Sequence, residues 1–186
     1  MNQKKKLIIS IISVLAVVLV VAGVTYAIFA ITTNSGTVTG NSGKLDVNYT
    51  ISNANLTGTM IPAASRSETL KETVTAKLNS GSVAGKLNIY LTPTTITGLP
   101  KAAINWEVDV VNTSNTVVNH YSGNLSSATI NSPVKIVNGY TLTTTNLTFR
   151  IYVWLNGAQV TNSNFSDTNS FVAKITADTV RITGTF

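Results

Sequence analysis

Few side chains in this sequence have the types and spacing that acid–base or metal chemistry requires. The 186 residues contain seven carboxylates, one histidine and no cysteine, which excludes thiol catalysis, iron–sulfur clusters and cysteine-bound zinc. The histidine, His120, lies in VVNHYSG, and the chain has no His-Glu-x-x-His motif. Because a single imidazole cannot supply the usual ligands of catalytic zinc, His120 is predicted to be an ordinary strand or loop residue.

Four of the seven carboxylates form two pairs at short spacing in the sequence. Glu107 and Asp109 alternate in NWEVDVV and share one face of a predicted strand, where a solvated face is expected and weak cation binding is the alternative. Glu68 and Glu72 are four residues apart, which on a strand gives two solvent-facing groups rather than a catalytic pair. No base stands ready to activate a serine or threonine. The sequence therefore predicts a protein that is not an enzyme and holds no cofactor or metal.

Three aromatic residues suggest a different activity. Tyr152 and Trp154 alternate with the apolar residues of RIYVWL, and Trp106 in INWEV is interpreted in the same way. Aromatic rings exposed on a β-sandwich can stack on sugar rings. A surface module that binds carbohydrate or another cell-wall ligand is therefore the alternative function.

The elements that carry these residues are predicted to be β-strands. Apolar residues recur with a period of two in TVTAKL, KLNIYLT and FVAKITA, and most clearly in LTFRIYVWL, where one face holds Leu147, Phe149, Ile151, Val153 and Leu155. Turn sequences such as NSGSVAG, TGLP and NSP separate these segments. About eight or nine short strands without a long amphipathic helix predict a single antiparallel β-sandwich of jelly-roll type over residues 41–186.

The N-terminal segment is typical of an export signal. MNQKKK is followed by an uncharged run of 25 residues from Leu7 to Ile31, long enough to cross a bilayer. Thr25, Tyr26 and Ala27 form a plausible cleavage site for signal peptidase. Residues 1–27 are thus predicted to be a signal peptide, or a retained transmembrane helix, with the rest of the chain outside the cytoplasm. Part of the net charge of +6 belongs to this basic segment, and no basic run interleaved with aromatics predicts nucleic-acid binding.

The region around this site resembles the start of TasA-like and camelysin-like proteins, a family of secreted biofilm-fibre proteins of Gram-positive bacteria. Gly23, Thr25, Tyr26, Ala27 and Phe29 correspond to a Gly-Thr-Tyr/Trp-Ala motif followed by an aromatic residue, and Gly43, Lys44, Leu45 and Asp46 correspond to a Gly-x-Leu-Asp strand. The segments LTGTMIPAASRSETLKETVTAKLNSGSVAGKLNIYL and GYTLTTTNLTFRIYVWLN are similar to later parts of the family pattern. The resemblance implies a secreted jelly-roll domain whose export signal is removed by a dedicated signal peptidase.

The same resemblance implies self-assembly, since some members form fibres by donor-strand exchange. Residues 28–40 would form an extended lead-in whose apolar members occupy a groove of a neighbouring copy; these are Ile28, Phe29, Ile31 and Val38. Such burial is favourable by about 2 kcal/mol for each large side chain, and strand pairing adds main-chain hydrogen bonds. Two alternatives remain open: residues 28–39 pair within their own domain, or they continue a membrane anchor.

The expected partners are further copies of the chain, the signal peptidase, and the cell wall or extracellular matrix. Some camelysin-like relatives are described as metalloproteases, but this chain lacks the residues for that activity.

Overall fold

The β-strands of this protein follow from its alternating apolar residues. The computed structural model describes residues 36–37, 44–66 and 69–182. The predicted export signal, the predicted cleavage site and the apolar lead-in residues Ile28, Phe29, Ile31 and Val38 lie outside these residues. Within them there is no α-helix, and no helix is long and apolar enough to cross a membrane. The strands are β1 (Gly36–Thr37), β2 (Val47–Ile51), β3 (Asn55–Gly58), β4 (Pro62–Ala63), β5 (Leu70–Leu78), β6 (Gly85–Thr97), β7 (Ile104–Val111), β8 (Val117–Asn124), β9 (Val134–Thr141), β10 (Leu147–Asn156) and β11 (Ser170–Arg181).

These strands form two sheets. Sheet A has the order β1-β2-β5-β10-β7-β8, and β4 pairs with the end of β10. Sheet B has the order β3-β11-β6-β9. All pairings are antiparallel except that of β4, which runs parallel to β10. Two short 3-10 helices, Lys101–Ala103 and Gly157–Gln159, connect strands.

The inner faces of the two sheets share one apolar core. Alternate residues of β10 are buried as the sequence pattern predicts, and the same holds for β5, β6 and β11. Tyr140 of sheet B meets Phe149 of sheet A edge-on, with ring centroids 5.4 Å apart. An all-β fold built from antiparallel sheets with a common core is therefore confirmed.

Nested pairing organises the middle of the chain. β5 pairs with β10 in sheet A, β6 pairs with β9 in sheet B, and β7 pairs with β8 in sheet A. The chain from β5 to β10 is thus one long folded hairpin with β7 and β8 at its tip. Because the β5–β10 and β7–β8 pairs lie in sheet A and the β6–β9 pair lies in sheet B, the folded hairpin places one sheet on each side of the core.

Some strand predictions differ from the structure. The strand at FVAKITA extends beyond Ala177, because Ser170–Arg181 is continuous and pairs with β6 along its whole length. β6 also extends beyond KLNIYLT to Thr97, and a register shift between Val172 and Ala173 of β11 lies opposite Pro93. A bulge there accommodates a residue that has no N–H to donate. The alternating pattern does not reveal β3 and β4, which are short and contain glycine or proline.

Candidate functional site

Two strand edges have no partner among the described strands where β3 of sheet B approaches β5 of sheet A. β2 pairs with β5 only as far as Ile51, which lies opposite Val74, so no described strand pairs with residues 70–73 of β5 on that side. β3 pairs with β11 on one side, and within the described residues no strand pairs with the other. We call this opening between β3 and residues 70–73 of β5 the seam.

Backbone groups at the seam point into it. The carbonyl of Thr73 accepts a hydrogen bond from the N–H of Ser52 at 3.0 Å, on the β2 side of β5. Residues two apart on a strand direct their backbone groups to the same side. The N–H and C=O groups of Lys71 therefore face the β2 side of β5, as those of Thr73 do. On β3, the carbonyl of Ala54 is directed toward β11, where it accepts from Ile175 at 2.8 Å. The same alternation turns the backbone groups of Thr57 away from β11 and toward the open edge.

The seam contains a cavity. It has a volume of about 390 Å³ and is lined by Asn53, Asn55, Leu56, Thr57, Leu70, Lys71 and Glu72. A second, smaller cavity of about 120 Å³ adjoins it at Leu70 and is lined mainly by apolar residues, including Met60, Ile61 and Val153. Ile61 is an exposed large apolar residue, 65% accessible. The seam therefore combines open strand edges, a polar cavity and an apolar cavity.

Glu72, which the sequence predicts to be solvent-facing, lies on the inner side of the seam. Its residue exposure is only 7%, because even-numbered residues of β5 face the core. Its Oε1 atom accepts from the Ser52 hydroxyl, from the N–H of Asn53 at 3.0 Å and from the N–H of Thr73 at 2.7 Å. The prediction of a solvated Glu72 is therefore wrong. Its expected companion, Glu68, lies outside the described residues.

The start of sheet A is relevant to the predicted lead-in. Gly36 lies opposite Tyr49 and Thr37 opposite Asn48, so β1 adds an antiparallel edge to β2. Part of the segment 28–40 thus pairs with its own domain, as one of the two alternatives predicted. The apolar residues on which the self-assembly hypothesis depends are not among these two.

The predicted cation site at Glu107 and Asp109 is occupied by a side chain of the protein. Nη1 of Arg66 lies 2.9 Å from Oε2 of Glu107 and 2.9 Å from Oδ2 of Asp109. Asp109 is buried, with 5% exposure, and its Oδ1 lies 2.8 Å from Nδ1 of His120. The prediction of a solvated face is therefore wrong for Asp109. In the part of the chain that the structure describes, no group of three histidine or acidic residues can hold a metal ion.

Arg66 fastens the segment after β4 to the outer face of sheet A. Its guanidinium carbon also lies 4.5 Å from the ring centroid of Tyr152, a distance that permits a cation–π interaction. Burial by itself lowers the pKa of Arg66, but the negative charges of Asp109 and Glu107 outweigh it and raise that pKa above its ordinary value. The guanidinium therefore stays charged, and the arrangement is a structural ion-pair network.

The aromatic residues do not form the predicted exposed surface. Trp106 and Trp154 are each only 8% exposed. Trp106 faces the core and lies against Gly123 of β8, opposite which it pairs. Tyr152 is half-buried beneath Arg66. The prediction that both tryptophans are exposed is therefore wrong.

No family model matches the chain, and no curated protein matches it. Among solved structures, the chain is similar to "Crystal structure of infectious bursal disease virus VP2 subviral particle", with 9% identity and a TM-score of 0.41 over 79% of this chain and 38% of that one. A second match is "Structure of infectious bursal disease virus Gx strain", with 9% identity and a TM-score of 0.38 over 78% of this chain and 36% of that one. The chain spans less than half the length of either protein.

Proposed function

We propose that this chain is an exported, non-enzymatic structural protein of the cell surface or extracellular matrix, and that it assembles with further copies of itself by donor-strand exchange. The observation that carries the proposal is the seam: two unpaired strand edges border a cavity of about 390 Å³. An extended peptide can pair with such edges, because main-chain hydrogen bonds supply affinity whereas side-chain pockets supply specificity.

The donated segment in this proposal is the apolar lead-in. Export removes residues 1–27, and Ile28, Phe29 and Ile31 then begin the chain. An adjoining cavity lined by Met60, Ile61 and Val153 offers apolar surface for one of these side chains. The resemblance of the N-terminal region to TasA-like proteins supports the same proposal, as does the nested pairing of β5 to β10, which favours a jelly-roll domain. The extracytoplasmic location rests on the export signal alone.

Shortening the lead-in tests the proposal. We expect the chain from residue 36 onward to fold, since β1 and its pairing with β2 are retained, but to remain monomeric. The chain beginning at Ile28 should form filaments that are visible by electron microscopy and sediment at high speed. A matched variant keeps the length and replaces Ile28, Phe29 and Ile31 by asparagine, and it should also remain monomeric.

The result would contradict the proposal if the shortened chain polymerised as the longer one does. If the chain that begins at Ile28 remained monomeric at high concentration, the alternative would be favoured, namely a domain that stays tethered to the membrane and binds a ligand. A carbohydrate ligand is expected only if these aromatic rings are exposed, and Trp106 and Trp154 are buried. No ligand is therefore assigned to that alternative.

A further inference from the structure

The seam contains a buried carboxylate that forms no ion pair with any residue that the structure describes. Glu72 is 7% exposed, and in the described part of the chain neither an arginine, a lysine nor the histidine lies within ion-pair distance of it. Arg66, on the preceding segment, pairs with Glu107 and Asp109 instead. Lys71 is adjacent in sequence but exposed, because it occupies the opposite face of β5. A buried charge is costly unless an opposite charge or several hydrogen bonds compensate it.

Among the described residues, all hydrogen-bond donors to Glu72 contact one of its two oxygens. The three hydrogen bonds described above all go to Oε1, from Ser52, Asn53 and Thr73. These donors fix the orientation of the carboxylate at the point where β2 leaves the sheet. Oε2 accepts no hydrogen bond from the residues that the structure describes, and Glu72 lines the larger cavity. The free oxygen is therefore available to a donor that enters the seam.

We propose that Glu72 binds the α-ammonium group of an incoming peptide strand, and that this group is the amino terminus at Ile28 of a second copy. The inference rests on the proposed function, and it adds a specific contact and a means of control. An ammonium group is compact, carries three donors and brings the positive charge that Glu72 lacks. Hydrolysis of the Ala27–Ile28 bond creates it: water is consumed, Ala27 leaves with the new carboxylate, and Ile28 keeps the amine, which is protonated at neutral pH.

The dimensions of the seam suit this arrangement. Leu70 lines both cavities and lies two residues from Glu72, a separation of about 7 Å along a strand. A strand whose ammonium group contacts Glu72 can therefore bring Phe29 near the smaller, apolar cavity. Eight residues, the number from Ile28 to residue 35, span about 26 Å in a fully extended strand, which is the length available to the donated segment.

Export processing would then control assembly. In the uncleaved precursor the nitrogen of Ile28 is an amide, which carries no charge and has only one N–H to donate. Such a chain can offer its apolar side chains but cannot neutralise Glu72. Assembly is therefore restricted to chains that have lost residues 1–27, that is, to molecules already outside the cytoplasm.

A peptide-binding experiment tests the contact independently of filament formation. The receptor is the chain from Ile28 onward with its own α-amino group acetylated, so that its terminus carries no charge. The probes are two synthetic peptides with the sequence of residues 28–36, IFAITTNSG, one with a free and one with an acetylated amino terminus. Affinities are measured by isothermal titration calorimetry for the receptor, for its Glu72→Gln variant and for Asp167→Asn. Asp167 is exposed and controls for the loss of one negative charge.

We expect the free peptide to bind about tenfold more tightly than the acetylated one, since a charge-assisted bond at a buried site is worth that much. Glu72→Gln should abolish the preference, and Asp167→Asn should retain it. Equal affinity for both peptides, a preference that survives Glu72→Gln, or no binding of either peptide overturns the inference. If the acetylated receptor itself forms filaments as readily as the chain with a free amine, the ammonium contact is refuted while self-assembly stands. If the peptides are discriminated but the free chain stays monomeric, the Glu72 site stands and the proposed fibre function fails.

Discussion

Replacing Gly123 by alanine should destabilise the protein, although the sequence alone predicts the opposite. Gly123 lies within β8, and glycine in a strand interior costs about 0.5–1 kcal/mol relative to alanine because it loses more backbone freedom on folding. In the structure, however, a Cβ atom at residue 123 would lie 2.5 Å from Cζ2 and 2.7 Å from Cε2 of Trp106. Both distances are shorter than any normal carbon contact.

The size of the effect depends on whether the indole can move. Trp106 is only 8% exposed and belongs to the core, so its ring is held by neighbours on several sides. Overpacking a well-packed core typically costs about 1–3 kcal/mol, which exceeds the entropic gain. We therefore expect Gly123→Ala to lower the free energy of unfolding by about 1–2 kcal/mol.

Urea denaturation followed by circular dichroism measures this change. Ser122→Ala, at the neighbouring exposed position of the same strand, should alter the free energy of unfolding by no more than about 0.5 kcal/mol. Because phenylalanine lacks the outer part of the indole, Trp106→Phe should relieve the contact, and the double variant should be more stable than the sum of the single changes predicts. An unchanged or increased stability of Gly123→Ala would refute the reasoning.

Two further predictions concern buried polar groups. Asn169 is 4% exposed; its side chain accepts from the N–H of Met60 at 2.7 Å and donates to the Met60 carbonyl at 3.0 Å. Asn169→Asp loses the donor and sets a carboxylate against that carbonyl, so the free energy of unfolding measured in urea should fall by about 2–3 kcal/mol, whereas an effect as small as that of Ser122→Ala would contradict this account. Burial, and then the negative charge of Asp178, raise the pKa of Tyr49 above its ordinary value of 10.0. The folded chain then holds the phenolic proton of Tyr49 more tightly than the unfolded chain does. The contribution of this proton to the free energy of unfolding should therefore be fully present below pH 10 and decline as the pH rises through the folded pKa. Thermal melting between pH 9 and about 11 should show this decline, and it should be smaller in Tyr49→Phe; an equal slope in both proteins would count against it.

The alternation of apolar residues was enough to predict which faces of the long strands are buried. In LTFRIYVWL, the residues from Leu147 to Leu155 that share a face are all in the core, because strand geometry directs alternate side chains to opposite sides whatever the rest of the chain does. Turn sequences marked the ends of most strands for a similar reason, since glycine, proline and asparagine act within a few residues. Such local rules operate without knowledge of the fold.

Burial on the other face was decided by contacts between distant segments. Trp154 follows the polar alternation yet is buried, and Asp109 is covered by Arg66, which comes from a loop 43 residues earlier. Trp106 is different, because the period of two in INWEVDV places it beside Ile104 and Val108 on the apolar face, and that face is in the core. No pattern within one strand records which loop will cross it.

The sequence by itself predicts an export signal, and it determined a set of short strands with one apolar face. Only the tertiary structure decided that the pairing of β2 with β5 ends at Ile51, and that β3 pairs with β11 and not with residues 70–73 of β5. Those two events create the seam and bury Glu72 within it. The physical reason is that a strand edge is open or closed according to its neighbours in space, whereas the sequence of a strand specifies only its faces.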